Sequence, residues 1–246
     1  MSAHSIYSPS ASHRWLACPG SIKLIQKCPP DKGSPAAQEG TDAHALAEMC
    51  FAKEVEAHHF IGEVMPSGLV VNKAMAKHVQ TYLDYVKELK SERYGTILVE
   101  KKLTLSSIDE RVFGTADIVM IGGYGNTVTL DIFDFKFGKW AVEVKGNTQL
   151  MIYALGALES IGGVIKQMHH RVTAHICQPR SKHKDGINRA CNYLVSDLLE
   201  FGKTIKAAVV ESDKDEPELF DGDHCRFCPA ELICPKLNSL GRAIQI

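Results

Sequence analysis

The stretch Asp131-Ile132-Phe133-Asp134-Phe135-Lys136 sets two carboxylates and a lysine into an apolar run. In a strand its side chains alternate between two faces. Val128, Leu130, Ile132, Asp134 and Lys136 then share one face, and Thr129, Asp131, Phe133, Phe135 and Phe137 share the other. An acid and an ammonium therefore point the same way at the end of an apolar ridge. Burying them costs several kcal/mol per charge unless each finds a partner or a metal. Taken alone, such a pair most often satisfies itself, and the residues around this strand decide the matter. Alternation also separates Asp134, on the Lys136 face, from Asp131, on the opposite one.

Working outward, strands are expected over 96–105 and 111–121, and Gly122-Gly123-Tyr124-Gly125-Asn126 turns into a third over 127–137. Together they read as an antiparallel meander. A helix follows over 147–160, with Gly162-Gly163 as its stop signal. The next strand, 172–178, comes after that helix and so suggests a parallel crossover. Upstream, Ala43, Leu46, Ala47, Cys50, Phe51 and Val55 recur at helical spacing within 35–57. Met75, Val79, Tyr82, Leu83, Val86 and Leu89 do the same within 72–93, and a late helix covers 197–210. The order α-α-β-β-β-α-β-α predicts an α/β fold with a mixed central sheet and helices on both faces. Residues 1–35 read as an irregular arm with a short helix near 13–16, and 221–246 as a cysteine-rich tail.

The 246 residues, 45% of them apolar, suit one domain with a proper core. A net charge of −1 excludes a uniformly basic coat, so nucleic-acid contact would need a local patch. The sequence has no run of roughly 18 apolar residues and no leader-like N-terminal segment, so no membrane partner and a cytoplasmic, reducing setting are expected. Of the eight cysteines, Cys28, Cys50, Cys177 and Cys191 are scattered, as buried thiols often are. Cys225, Cys228 and Cys234 crowd together as C-x₂-C-x₅-C.

Gly114-Thr115-Ala116-Asp117 lies on the strand before Asp134, and neighbouring antiparallel strands bring such acids within a few ångströms. Two carboxylates there repel unless they share a proton or a cation, and hard oxygen ligands favour Mg²⁺ or Mn²⁺. His44 follows Gly40 by one helical turn, and Gln149 and Tyr153 share one face of the helix after the Asp134 strand. Glu39 and Glu100 are further acids near these elements, and neither is counted in the site. Arg180, Lys182 and Lys184, with Arg189 beyond, would suit phosphate contacts beside a catalytic edge, and Lys139 and Lys145 could extend the rim. In the tail, three thiolates need a fourth ligand. Zinc would accept His224, whereas a 4Fe–4S cluster prefers a fourth cysteine, for which Cys18 beside Pro19-Gly20 is the natural donor.

In this order the elements resemble the PD-(D/E)xK nuclease superfamily. The likeness is to its RecB-type branch with an iron–sulfur staple, which includes the AddB nuclease domain and the CRISPR-adaptation nucleases. It rests on Gly40 and His44, on Gly114 and Asp117, on Asp134 and Lys136, and on Gln149 and Tyr153. One cysteine before and three after the core complete it, in Cys18, Cys225, Cys228 and Cys234. The opening Ser8-Pro9-Ser10-Ala11-Ser12-His13-Arg14-Trp15 also resembles phage-type members encoded near recombination proteins. The resemblance implies a restriction-endonuclease-like domain spanning 1–246, its arm (1–35) and tail (221–246) joined by a 4Fe–4S cluster, with Zn²⁺ the alternative. It implies that His44, Asp117, Asp134 and the backbone carbonyl of Phe135 hold Mg²⁺ or Mn²⁺. Lys136 would orient the attacking water, and Gln149 and Tyr153 would position the phosphate or Lys136.

The expected activity is that of a metal-dependent DNA exonuclease of phage or bacterial recombination. Its expected setting is the bacterial cytoplasm, with DNA and a single-strand-annealing protein as partners and a homo-oligomer as one state. The alternative is a catalytically silent nucleic-acid-binding module of the same fold.

Overall fold

The computed structural model describes residues 5–29, 33–124, 127–161 and 171–239. Gly162-Gly163, expected to stop a helix, and Gly125-Asn126 of the expected turn lie outside these residues.

Two short helices, α1 (Ser12–Ala17) and α2 (Ser21–Ile25), precede the long α3 (Pro35–Lys53) and α4 (Lys73–Glu92). The long helices begin where the sequence places caps. Ser34 Oγ accepts the Ala37 amide at 3.1 Å, with Pro35 in the first turn, and Asn72 Oδ1 accepts the Met75 amide at 2.9 Å. Helix α3 stops short of the expected 57, because Glu54 turns left-handed (φ 55°) and its N–H closes back on Cys50 and Phe51. Ala57–Phe60 forms a separate 3₁₀ turn.

The sheet follows as β1 (Thr96–Thr104), β2 (Phe113–Tyr124) and β3 (Thr127–Phe135), then helix α5 (Thr148–Ser160), β4 (Arg171–Cys177) and β5 (Asn188–Leu194). Helices α6 (Val195–Asp213) and α7 (Pro235–Ser239) end the described chain. Spatial order equals chain order, β1-β2-β3-β4-β5. The first three strands form the expected antiparallel meander, and α5 carries the chain over to β4, which pairs with β3 in parallel. The fold is thus α/β, a five-stranded mixed sheet flanked by helices.

Strand β5 was not among the expected elements, and its inward residues explain why. Exposure alternates along it, but Arg189 takes one of the three inward positions, beside Cys191 and Tyr193, and breaks the apolar alternation that marks a strand. It pairs antiparallel with β4 at the edge of the sheet.

The two faces of β3 anchor two cores. Leu130 and Ile132 join Trp15, Leu150, Tyr153, Leu198 and Ile205, on the side of α1, α5 and α6. Phe133 and Phe135 join Leu46, Val79, Tyr82 and Leu83, on the side of α3 and α4. Each such side chain contributes about 1.5–3 kcal/mol of burial. The arm is part of this packing. Tyr7 and Trp15 are fully buried, and the hydroxyl of Tyr7 lies 2.6 Å from Ser212 Oγ on α6. No helix among the described residues is long and apolar enough to cross a membrane.

Candidate active site

The site lies where β2 and β3 leave their ladder. The register ends with Ile118 opposite Phe133, and Asp117 and Asp134 are the next residues on the two strands. Strict alternation breaks here on two neighbouring strands. Ala116 packs on the α5 side and Ile118, two residues on, on the α3–α4 side. On β1, Val99 packs against the α3–α4 side and Leu103 against the α5 side. Between them Glu100 holds a left-handed backbone (φ 47°), a strain of about 1–3 kcal/mol for a non-glycine residue. This kink brings Glu100 and Asp117 together and aims both at α3. The ligand atoms of His44, Glu100 and Asp117 lie within 4.8 Å of one another.

His44 Nδ1 is 3.1 Å from Asp117 Oδ1, and its ring sits 5.4 Å from that of Phe135. The other oxygen of Asp117 accepts the Phe135 amide at 2.6 Å. Burial pulls the His44 pKa down, but the charge and hydrogen bond of Asp117 outweigh it and the net shift is upward. Burial raises Glu100 to about 7, with Asp117 and Glu48 adding to the shift. Three anionic or basic groups crowded this closely are a ready ligand set for a divalent cation.

Asp134 occupies the adjoining corner. Its Oδ2 is 3.0 Å from Lys136 Nζ, and its Oδ1 accepts from Gln149 Nε2 at 3.1 Å. Lys136 Nζ also donates to Gln149 Oε1 at 2.9 Å, closing a triangle of acid, amide and ammonium. Gln149 Nε2 reaches on to the Tyr153 hydroxyl at 3.5 Å. Burial raises the Asp134 pKa, with Lys136 opposing and the charge of Asp117 adding to it. Burial would strip Lys136 of its proton, but Asp134 more than compensates and Lys136 stays an ammonium. Burial raises the Tyr153 hydroxyl as well, so it remains a neutral donor.

Asp134 has room for a cation. Its Oδ2 is buried and forms the ion pair with Lys136 but receives no well-directed hydrogen bond, so a lone pair is left open. That suits a metal ligand. Of the expected ligands, His44 and Asp117 meet directly, whereas Asp134 stands beside them rather than within the 4.8 Å group. Glu100 takes the third place, and the positive φ that puts it there leaves no mark on the hydrophobic pattern.

Asp131 lies on the other face, as alternation requires, and its Oδ1 carries both of its contacts while Oδ2 is buried with no hydrogen bond. It pairs with Arg93 and accepts from His175 Nε2 at 2.9 Å, while His175 Nδ1 lies 2.7 Å from the Tyr85 hydroxyl. Gly114 has a packing reason. A Cβ there would sit 2.8 Å from the Pro9 ring and 3.2 Å from Tyr153 Cε1. Nothing lies within 4 Å of a Cβ built on Gly40.

An open groove of about 460 Å³ leads from Lys136 and Gln149 past Ser10, Ser12, His13 and the start of α5. Of the basic residues, Arg180 is bound to Glu39 at 2.7 Å and lies over the Phe137 ring, while Lys182 and Lys184 are exposed. Arg189 is not available for phosphate. It is buried and bonds to Gln178, Val142 and Gly186, a clamp that sequence reasoning did not anticipate.

Cys18 at the end of α1 meets the tail. The Phe220 amide donates to its Sγ at 3.4 Å, and the neighbouring thiols of Cys225 and Cys234 act on its ionisation. Burial raises the pKa of both Cys18 and Cys228, and the Arg14 guanidinium beside them favours their thiolates. No three of these sulfurs lie within 4.8 Å of one another among the described residues. Four thiols around zinc, at about 2.3 Å each, would stand about 3.8 Å apart.

The fold and site define an α/β protein whose mixed sheet carries a buried acid–lysine pair beside a histidine and two further carboxylates. The chain belongs to the family described as "Protein of unknown function (DUF2800)", whose model matches residues 4–243. It is also similar to a solved structure titled "Crystal structure of SSO0001", with 12% identity over 91% of this chain and 96% of that one and a TM-score of 0.33, too low to carry an argument.

Proposed function

We infer that this chain is a metal-dependent DNA nuclease of the PD-(D/E)xK type, with a restriction-endonuclease-like sheet. The observation that carries this reading is Lys136 Nζ held at 3.0 Å from Asp134 and 2.9 Å from Gln149, beside the carboxylates of Asp117 and Glu100. His44, Asp117, Asp134, Glu100 and the Phe135 carbonyl would hold Mg²⁺ or Mn²⁺. The cation would supply a water of lowered pKa and a polarised phosphate. The protein's own part is positional. Lys136, kept charged by Asp134, donates to the attacking water or the phosphate and offsets charge that develops in line. Gln149 fixes both members of the pair, and the neutral Tyr153 hydroxyl steadies Gln149. A 4Fe–4S cluster on Cys18, Cys225, Cys228 and Cys234 would staple arm to tail.

Within this class, trimming of DNA ends in phage or bacterial recombination, in the bacterial cytoplasm with a single-strand-annealing partner, is the proposed role. The test is digestion of 5′- and 3′-labelled single- and double-stranded DNA with Mg²⁺ or Mn²⁺, with Lys136→Ala as control. Wild-type protein inactive on every form with either metal ends this reading. Binding without hydrolysis would leave a silent nucleic-acid-binding module.

A further inference from the structure

Two of the most exposed large apolar side chains among the described residues are aromatic and share one arginine. Trp140 is 82% exposed and Phe227 is 85% exposed. The Arg226 guanidinium carbon lies 5.8 Å from the Trp140 ring and 5.3 Å from the Phe227 ring. Arg226 takes part in no ion pair among the described residues. Exposed aromatic surface of this kind marks a contact site rather than packing.

The loop presenting Trp140 is held from beneath. Gln178, fully buried, donates to the carbonyls of Gly138 at 2.9 Å and Trp140 at 2.7 Å, and accepts the Val142 amide at 3.1 Å. Arg189 adds a bond to the Val142 carbonyl at 3.0 Å. A solvent-facing loop with no binding task needs no such buried clamp, whereas a binding surface gains from being fixed in advance. The same loop walls the groove that opens at Lys136. Trp140 lies four positions after Lys136 in the chain, so their Cα atoms are at most about 14 Å apart.

We propose that Trp140, Arg226 and Phe227 form a stacking platform for the unpaired bases of a DNA strand whose backbone enters the Lys136 groove. The proposal rests on the nucleic-acid reading above and narrows its substrate to a single-stranded or frayed end. The rings offer π-faces to any base, and the Arg226 guanidinium offers charge to phosphate and a planar face to a base. That combination suits a nucleic-acid strand better than an apolar protein surface.

The test is anisotropy of labelled dT20 with the full chain and no added divalent metal, against a blunt hairpin of equal length. Wild type binds dT20 more tightly than the hairpin. Trp140→Ala and Phe227→Ala each weaken dT20 about tenfold, within the worth of one stacked base, and Trp140→Phe restores most of it. Because Trp15 is fully buried, dT20 also shields Trp140 selectively from acrylamide. Unchanged dT20 affinity in both alanine variants, melting as wild type does, overturns the platform, including the case in which the patch serves a protein partner. Tight dT20 binding lost in Trp140→Ala without any DNA hydrolysis would retire the nuclease reading alone.

Discussion

Asp117 accepts the amide hydrogen of Phe135 at 2.6 Å, tying the acid of the second strand to the backbone of the third just where their ladder ends. Its other oxygen faces His44. One carboxylate thus serves both structure and chemistry, and substitution separates the two. Asp117→Asn keeps an acceptor for Phe135 and should melt close to wild type, with Mn²⁺ affinity lowered at least about tenfold. Asp117→Ala loses both, with a further cost of about 1.5 kcal/mol, or about 3–6 °C for a chain of this size. Equal Mn²⁺ affinity in wild type and Asp117→Asn, read by calorimetry, would remove Asp117 from the ligand set.

Lys136 and Asp134 share Gln149 but differ in what they should lose. Lys136→Ala should lower kcat on DNA by about 10²–10³, the usual weight of one preorganised donor, while Mn²⁺ still binds. Asp134→Ala should lose turnover and weaken Mn²⁺ together. Single-turnover rates beside metal titrations check this. A Lys136→Ala protein cleaving at the wild-type rate would leave the ammonium without a catalytic role.

The split between Asp134 and Asp131 was legible in the sequence, because period-two alternation alone puts one beside Lys136 and the other across the sheet. The two long helices were legible as well, because apolar residues recur at helical spacing within 35–57 and 72–93. Glu100 was not, since its place depends on a left-handed backbone that resets the alternation of β1. Nor was the clamp on the 138–142 loop, because Gln178 and Arg189 meet it from β4 and β5 by long-range packing. Strand β5 escaped because an arginine faces inward beside its cysteine and tyrosine and interrupts the apolar alternation that a strand signal needs. Local periodicity survives in the sequence, and contacts made only by tertiary approach do not.

Asp131 should behave as a structural acid. It is fully buried between Arg93 and His175, so Asp131→Ala leaves their charge and hydrogen bonds without a partner. Breaking a buried pair of this kind costs about 3–5 kcal/mol. Cleavage per folded molecule should be unchanged. Denaturant melts joined to activity of the folded fraction check it, and a variant that melts normally but cannot cleave DNA would reverse the assignment.

The cysteines make a separate prediction about both chain ends. Anaerobically purified protein should be brown and carry about four iron atoms per chain. Cys18→Ser and Cys225→Ser should each lose most of the iron and melt lower, because the cluster joins residues that otherwise meet through bonds such as Phe220 N–H to Cys18 Sγ. Since Phe227 lies between Cys225 and Cys228, the same variants should bind dT20 more weakly. Stoichiometric zinc without iron would replace the cluster with the alternative metal.

Glu100 and His44 should give the metal-free protein a characteristic pH dependence. Both hold a proton more tightly folded than unfolded, Glu100 through burial and the charges of Asp117 and Glu48, and His44 through Asp117 acting against burial. Stability from such groups is complete below the unfolded pKa and is lost as pH rises through the folded one. For Glu100 that window runs from its ordinary 4.5 to about 7, and for His44 it begins near 6.5 and extends above. Carboxylates that Arg111 holds below their usual range, Asp109 and Asp213, titrate at lower pH and stay out of this window. Burial lowers the pKa of His13 and His78, which acts in the opposite sense near pH 6.5. The readout is therefore the difference from Glu100→Gln: without metal, the melting temperature of wild type should fall relative to that variant from about pH 5 to about pH 7. Mn²⁺ competes with the same protons, so it should bind more tightly as pH rises and offset the fall. A difference between wild type and Glu100→Gln that stays flat across this range would show that Glu100 is not a proton-holding centre of the site.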